Sequence, residues 1–181
     1  ILLNGCSSTN MKDFENKTPK LNLFEFFKGE TVAYGIFEDR FGKLRRQFRV
    51  KIKGSVQENT LTLDEKFIYD DGEKATRIWK IKKIKENNNL IKYEGSADDV
   101  EGLATGTSVG NALNWTYDIY LNIKGSNLKV KFNDWIYKQD SNVAINRAYV
   151  SKFGIDIGSV TLVFLRGQTA KTVSPLNINS W

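Results

Sequence analysis

Four charged side chains fall in step with apolar residues along runs of alternating character, and any chemistry this chain performs would centre on them. Arg46 lies between Leu44 and Phe48, Glu65 between Leu63 and Phe67, Asp134 between Phe132 and Ile136, and Arg147 between Ile145 and Tyr149. In a half-buried strand such positions face the interior. Two cations and two anions placed there can neutralise one another as an ion-pair network closing one end of a core. They can also form a polar floor under an apolar cavity, where Arg46 or Arg147 grips a carboxylate or phosphate head group bidentately, with Glu65 and Asp134 beside it. Phe67, Trp79, Trp115, Tyr117 and Phe132 would then line the apolar volume, as aromatics do in concave sites. The two readings share residues and differ in whether the interior is hollow.

Other chemistry is largely excluded. The 181 residues contain no histidine, which removes the commonest general base, the commonest metal ligand and every Ser-His or Cys-His nucleophile pair. Gly102, Gly106 and Gly110 form a Gly-rich stretch, but no Gly-x-x-x-x-Gly-Lys accompanies them, so they read as tight packing or bulges. Asp98, Asp99 and Glu101 lack the spacing of a calcium loop and read as a solvated acidic turn. No metal or cofactor is expected. The composition points to a binding or structural module and not to an enzyme, since catalysis would fall to Asp, Glu or Tyr on a cavity floor.

The elements that position these residues are strands. Leu44, Phe48, Val50 and Ile52 alternate with Arg45, Gln47, Arg49, Lys51 and Lys53; Leu61, Leu63, Phe67 and Tyr69 alternate with Thr60, Thr62, Asp64 and Lys66. Leu113, Trp115, Tyr117, Ile119, Leu121 and Ile123 continue the pattern, as do Leu128, Val130, Phe132 and Ile136. Turn residues separate the runs at Phe41-Gly42, Gly54-Ser55, Asp70-Asp71-Gly72, Asn87-Asn88-Asn89, Gly125-Ser126-Asn127, Asp140-Ser141-Asn142 and Asp156-Ile157-Gly158, the chemistry of antiparallel hairpins. Eight to ten strands with one apolar face hide their edges by closing. An all-β, antiparallel up-and-down barrel is predicted over residues 21–166, with Leu21–Phe27 as a short helical plug and a two-sheet sandwich as the alternative. Residues 6–20 read as a flexible tether and 167–181 as a polar tail, so one domain holds the core. Lys and Arg exceed Asp and Glu by 27 to 21, a net charge of +6. The outward Lys51, Lys53, Lys80, Lys82, Lys129 and Lys131 read as a solvated exterior.

The single cysteine sits in Leu3-Asn4-Gly5-Cys6-Ser7-Ser8, after the apolar stub Ile1-Leu2-Leu3. This run resembles a bacterial lipobox, with Asn4 departing from the small apolar residue usual there. The resemblance implies that residues 1–5 are a signal-peptide remnant, that Cys6 carries a thioether-linked diacylglycerol, and that Ser7 directs the protein to the outer membrane. Several long acyl chains, at about 0.8 kcal/mol per buried methylene, make such an anchor nearly permanent. Separately, Gly110-Asn111-Ala112, Trp115-Thr116-Tyr117, Asp134-Trp135-Ile136-Tyr137, Asn146-Arg147 and Lys152-Phe153-Gly154 resemble the uncharacterised Gram-negative lipoproteins catalogued as domain of unknown function 3833. That resemblance runs from about Phe26 to Phe164. It implies a lipocalin-like barrel and lipid-related work, and supplies no catalytic residues.

Together these readings predict a lipoprotein on the periplasmic face of the outer membrane that binds or transfers a fatty acid, phospholipid or other apolar anion. The alternatives are a solid barrel working through its surface and a His-independent enzyme acting on a lipid. Its expected partners are the membrane, through the acyl anchor, and that ligand; nucleic acid is not expected, since no recognition motif is present. Replacing Cys6→Ala in the full precursor should shift the protein from the membrane fraction to the soluble fraction on cell fractionation. Retention at the membrane would contradict the anchor.

Overall fold

The alternating runs form ten antiparallel strands: β1 (Gly29–Asp39), β2 (Leu44–Gln57), β3 (Thr60–Tyr69), β4 (Lys74–Glu86), β5 (Ile91–Ser96), β6 (Val100–Val109), β7 (Ala112–Ile123), β8 (Ser126–Lys138), β9 (Val143–Lys152) and β10 (Ile155–Arg166). This computed structural model describes residues 8–123, 126–174 and 176–181. Each strand pairs with its neighbour in sequence, and β1 also pairs with β10 from Thr31↔Arg166 to Asp39↔Gly158, so the sheet closes. The result is the lipocalin-like up-and-down barrel, and the sandwich alternative falls away. Register shifts at Phe37/Glu38, Lys83/Lys85, Glu101/Thr105 and Asp156/Gly158 relieve the curvature that closure imposes.

The two barrel ends differ. Before β1, the chain makes the five-residue helix α1 (Leu23–Phe27), capped by Asn22, whose side chain accepts from the Phe24 N–H at 3.0 Å. Leu23, Phe26 and Phe27 are buried, and Phe27 meets Phe164 edge-on at 5.1 Å. The Leu23 N–H donates to the Tyr93 hydroxyl at 3.2 Å. Gly54, expected in a turn, lies inside β2 and is required there because a Cβ would collide with the Phe27 carbonyl; the turn expected at 156–158 likewise lies earlier, at Phe153-Gly154. This helix is the predicted plug. The opposite end carries the β1–β2, β3–β4, β5–β6 and β9–β10 connections, and we call it the mouth.

Both flanking segments differ from the flexible, polar tails expected. Residues 11–14 form a 3-10 helix capped by Asn10, and Phe14 packs at a tilt against Trp135 at 6.0 Å and Tyr137 at 5.7 Å. Gly110 leaves room for the carbonyls of Phe14 and Lys17, and the Leu21 N–H donates to the Gly110 carbonyl at 2.8 Å. At the other terminus α2 (Gly167–Thr172) buries Ala170, which with Leu176 covers Val32 on the outside of β1. Arg49 lies over the Trp181 ring at 4.3 Å. A few apolar groups suffice to dock each polar segment. Cys6 lies outside the described residues.

Of the Gly-rich stretch, Gly106 is a packing position, as expected: a Cβ there would enter the Trp115 ring. Gly106→Ala should therefore lower the unfolding free energy by about 1 to 3 kcal/mol, read from urea titration.

Candidate functional site

Inward-facing residues are fully buried in the plugged half of the barrel: Ala33, Ile52, Leu61, Leu63, Ile81, Leu113 and Ala144. Toward the mouth the inward wall is uneven: Phe37, Phe67, Tyr69, Leu128, Phe132 and Leu162 are half-buried, while Ile119, Val130 and Val150 on β7 to β9 remain fully buried. The plug dries one half, while the open end leaves the other in contact with water. Trp79, Trp115 and Tyr117 mark the boundary, with Trp79 edge-on to Trp115 at 5.7 Å and to Tyr117 at 5.2 Å. Above them Phe132 stacks on Tyr117 at 5.3 Å, and Phe67 lies parallel to Tyr69 at 6.2 Å.

The polar group of this half is built around Arg77. It is inward on β4 in step with Trp79 and Ile81, and it faces Glu65 directly across the β3–β4 ladder. Its guanidinium donates to Asp99 from Nε at 3.2 Å to Oδ1 and 3.0 Å to Oδ2, and from Nη2 at 2.7 Å to Oδ2. Its Cζ is also 5.9 Å from the centroid of the Phe67 ring. Asp134, inward on β8, accepts from the Tyr117 hydroxyl at 3.4 Å on Oδ2, while its Oδ1 is buried without a partner. Such an orphaned acceptor costs free energy unless a donor or a proton arrives. Burial pushes both carboxyls up to about 7, against the opposing pull of Arg77. Burial and the Asp134 charge raise Tyr117 well above the ordinary tyrosine range, so it remains a hydroxyl donor.

The residues expected to form the site divide. Glu65, Asp134, Phe67, Trp79, Tyr117 and Phe132 converge as expected, and Trp115 lies beneath them, packed into Gly95 and Gly106. Arg46 does not reach this group. It is at the rim, where Nη2 holds Asp71 and Glu73, each at 2.9 Å, with Cζ 3.6 Å above the Tyr69 ring. Arg147 is not inward at all. Ala144, Asn146, Ala148 and Val150 are the buried residues of β9, and Arg147 lies on the outer face, donating to Thr161 Oγ1 at 2.6 Å and 3.6 Å from Glu38. The four-member network is thus replaced by Arg77 with Glu65, Asp99 and Asp134. Asp99 also departs from the solvated turn expected of it. Arg77 was legible as the residue two before Trp79, but the outward Ile78 and Ile84 obscure the phase of that strand.

A family model described as protein of unknown function (DUF3833) matches residues 1–166. The chain belongs to this family. Among solved structures, that of the S-type phycobiliprotein lyase CPES from Guillardia theta is similar, with 9% identity, a TM-score of 0.58, and coverage of 80% of this chain and 90% of that one. The likeness establishes the shared barrel fold. It also corrects the expectation that the chain is not an enzyme, because a barrel of this form belongs to a protein described as a lyase. Comparison with curated proteins gives no match.

Removing the shared cation should be costly: Arg77→Met leaves three carboxyls without it and should destabilise the fold by about 2 to 4 kcal/mol, whereas Arg147→Met, half-exposed outside, should cost under about 1 kcal/mol. Equal losses in urea titration would contradict this placement. Glu65 and Asp134 bind protons more tightly folded than unfolded, so the stability they contribute is complete below the ordinary carboxylate range and is lost as pH rises through about 7. The double variant Glu65→Gln with Asp134→Asn should flatten the fall in urea midpoint between pH 5.5 and 8.

Proposed function

We propose that the mouth half of the barrel holds an elongated apolar ligand, a fatty acid or comparable lipid, and that the protein does so on the periplasmic face of the outer membrane through an acyl anchor on Cys6. The observation that carries this reading is the set of half-buried inward residues near the open end, Phe37, Phe67, Tyr69 and Phe132 among them, gathered around the polar group of Arg77, Glu65, Asp134 and Tyr117. An apolar chain would lie against Phe67, Phe132, Leu128 and Leu162, and its polar end would meet Arg77. The lipobox resemblance supports the anchor.

The charges dictate how an anionic head could bind. Arg77 already has Asp99 as its counter-ion, so a second anion beside it is tolerated only when Glu65 and Asp134 are protonated. Binding of a fatty acid should thus take up protons and tighten as pH falls from 8 to 6. A second reading follows from the same carboxyls: a pair near 7 in an aromatic mouth is suited to general acid–base work on the bound lipid.

Native mass spectrometry with lipid extraction, on protein purified from its own host, tests the first reading. A stoichiometric fatty acid or phospholipid is expected, with affinity for added fatty acid higher at pH 6 than at pH 8 and reduced by Arg77→Met. A clean apo mass with no uptake would overturn it and favour a barrel that works through its surface. Turnover of an ester-linked lipid that disappears in Asp134→Asn, while binding persists, would establish the second.

A further inference from the structure

The mouth has one aromatic, cationic edge, and that edge has no role in the fold. The β1–β2 and β9–β10 connections are neighbours, joined where the Arg40 N–H donates to the Ile157 carbonyl at 3.0 Å. Each ends in a phenylalanine turned outward: Phe41 is 82% exposed and Phe153 is 93% exposed. Leu44 and Ile155, exposed beside them, extend the apolar edge. A cation accompanies each ring, with Arg40 Cζ 5.1 Å from the Phe41 centroid and Lys152 Nζ 5.2 Å from that of Phe153.

Phe153 is informative because its backbone resists it. It has φ +52 and is followed by Gly154 at φ +78, a turn in which Asn-Gly is the favoured pair. A bulky side chain in that region is uncommon and strained, and here it gains no packing in return. Beneath it a groove of about 540 Å³ opens on the outer wall, lined in part by Lys129, Lys131, Ser151 and Lys152. Around the rest of the mouth the charge is more acidic, with Asp70, Asp71 and Glu73 in the adjacent β3–β4 connection and Asp98, Asp99 and Glu101 in and beside the β5–β6 connection, partly offset by Arg46, Arg77 and Lys129. The rim is therefore aromatic and net basic at this edge, where Arg40, Lys43, Arg45 and Lys152 outnumber Asp39 and Asp156, and more acidic elsewhere.

We propose that the Phe41 and Phe153 edge is a membrane-contact surface, which inserts its two rings into the interface of an anionic bilayer and seats Arg40, Lys43 and Lys152 among the head groups. Exposed aromatics flanked by cations are what such an interface binds, by apolar burial plus attraction to acidic lipid. The acidic side of the rim is repelled, so contact tilts the barrel onto this edge and leaves the mouth open beside the lipid. The inference stands on the rim and does not depend on what the barrel holds.

The test is co-sedimentation of the full chain carrying Cys6→Ala, so that no acyl chain contributes, with vesicles of phosphatidylglycerol and phosphatidylethanolamine or of phosphatidylcholine alone. Binding to the anionic vesicles is expected, weakened by salt and weaker on phosphatidylcholine. Phe41→Ser with Phe153→Asn should lower the partition coefficient by about tenfold or more, as loss of even part of two ring burials requires. The substitution at 153 places Asn-Gly in the turn, so thermal unfolding should be unchanged or improved. Glu73→Gln, on the acidic side, should bind as well as the parent. Equal binding by the double variant, or no binding to either vesicle, would overturn the proposal.

Discussion

Everything inside this protein depends on the pairing of β1 with β10. Nine residue pairs, from Thr31↔Arg166 to Asp39↔Gly158, turn a ten-strand meander into a sheet without edges. Once the sheet closes, strand periodicity alone decides which side chain shares the interior, and residues far apart in sequence are forced into the same volume. Arg77 and Glu65 meet because they are ladder partners, while Asp134 and Asp99 join them from other sectors of the wall. An open sheet would leave each of these charges in water and none of the arrangement would follow.

Closure leaves two ends, and α1 treats them unequally. Sealing one with Leu23, Phe26 and Phe27 covers a largely apolar region, where the Tyr93 hydroxyl accepts from the helix backbone and the cations Lys83 and Arg166 lie over the Phe24 and Phe26 rings at 5.3 and 5.6 Å. The group of Arg77, Glu65, Asp99 and Asp134 lies instead in the half that water reaches. There the dielectric is intermediate: low enough to hold Glu65 and Asp134 near 7, yet open enough for Arg77 and Asp99 to keep some contact with solvent, at 23% and 37% side-chain exposure. The unsealed end and the titration of the site are one property seen twice.

The strands and the barrel were legible because most inward positions carry large apolar residues, and the turns between them carry Gly, Asn and Asp. The phase failed where size and direction part company. On β9 the inward residues are Ala144, Asn146 and Ala148, kept small where Ala144 faces the bulky Phe164 across the ladder, while Ile145 and Tyr149 point out. Reading apolar as inward therefore placed Arg147 on the wrong face. On β4 the exposed Ile78 and Ile84 confuse the pattern in the same way and hide Arg77. The flanking segments were misjudged for a different reason. Their composition is polar, but docking needs only a ring or two, and Phe14 and Trp181 supply them.

The docked N-terminal segment sets a direction for the molecule. Phe14 and Leu21 fix it against the β6–β8 sector at the plugged end, and Cys6 lies only four residues before Asn10. At about 3.5 Å per residue that leash is about 14 Å, shorter than a barrel of about 30 Å built from tilted strands of this length. An acyl chain on Cys6 would hold the plug close to its own leaflet and aim the opening outward. The molecule would then stand as a short pillar fixed at its sealed base, and a bilayer entered by its aromatic crown would be a second membrane surface facing the first.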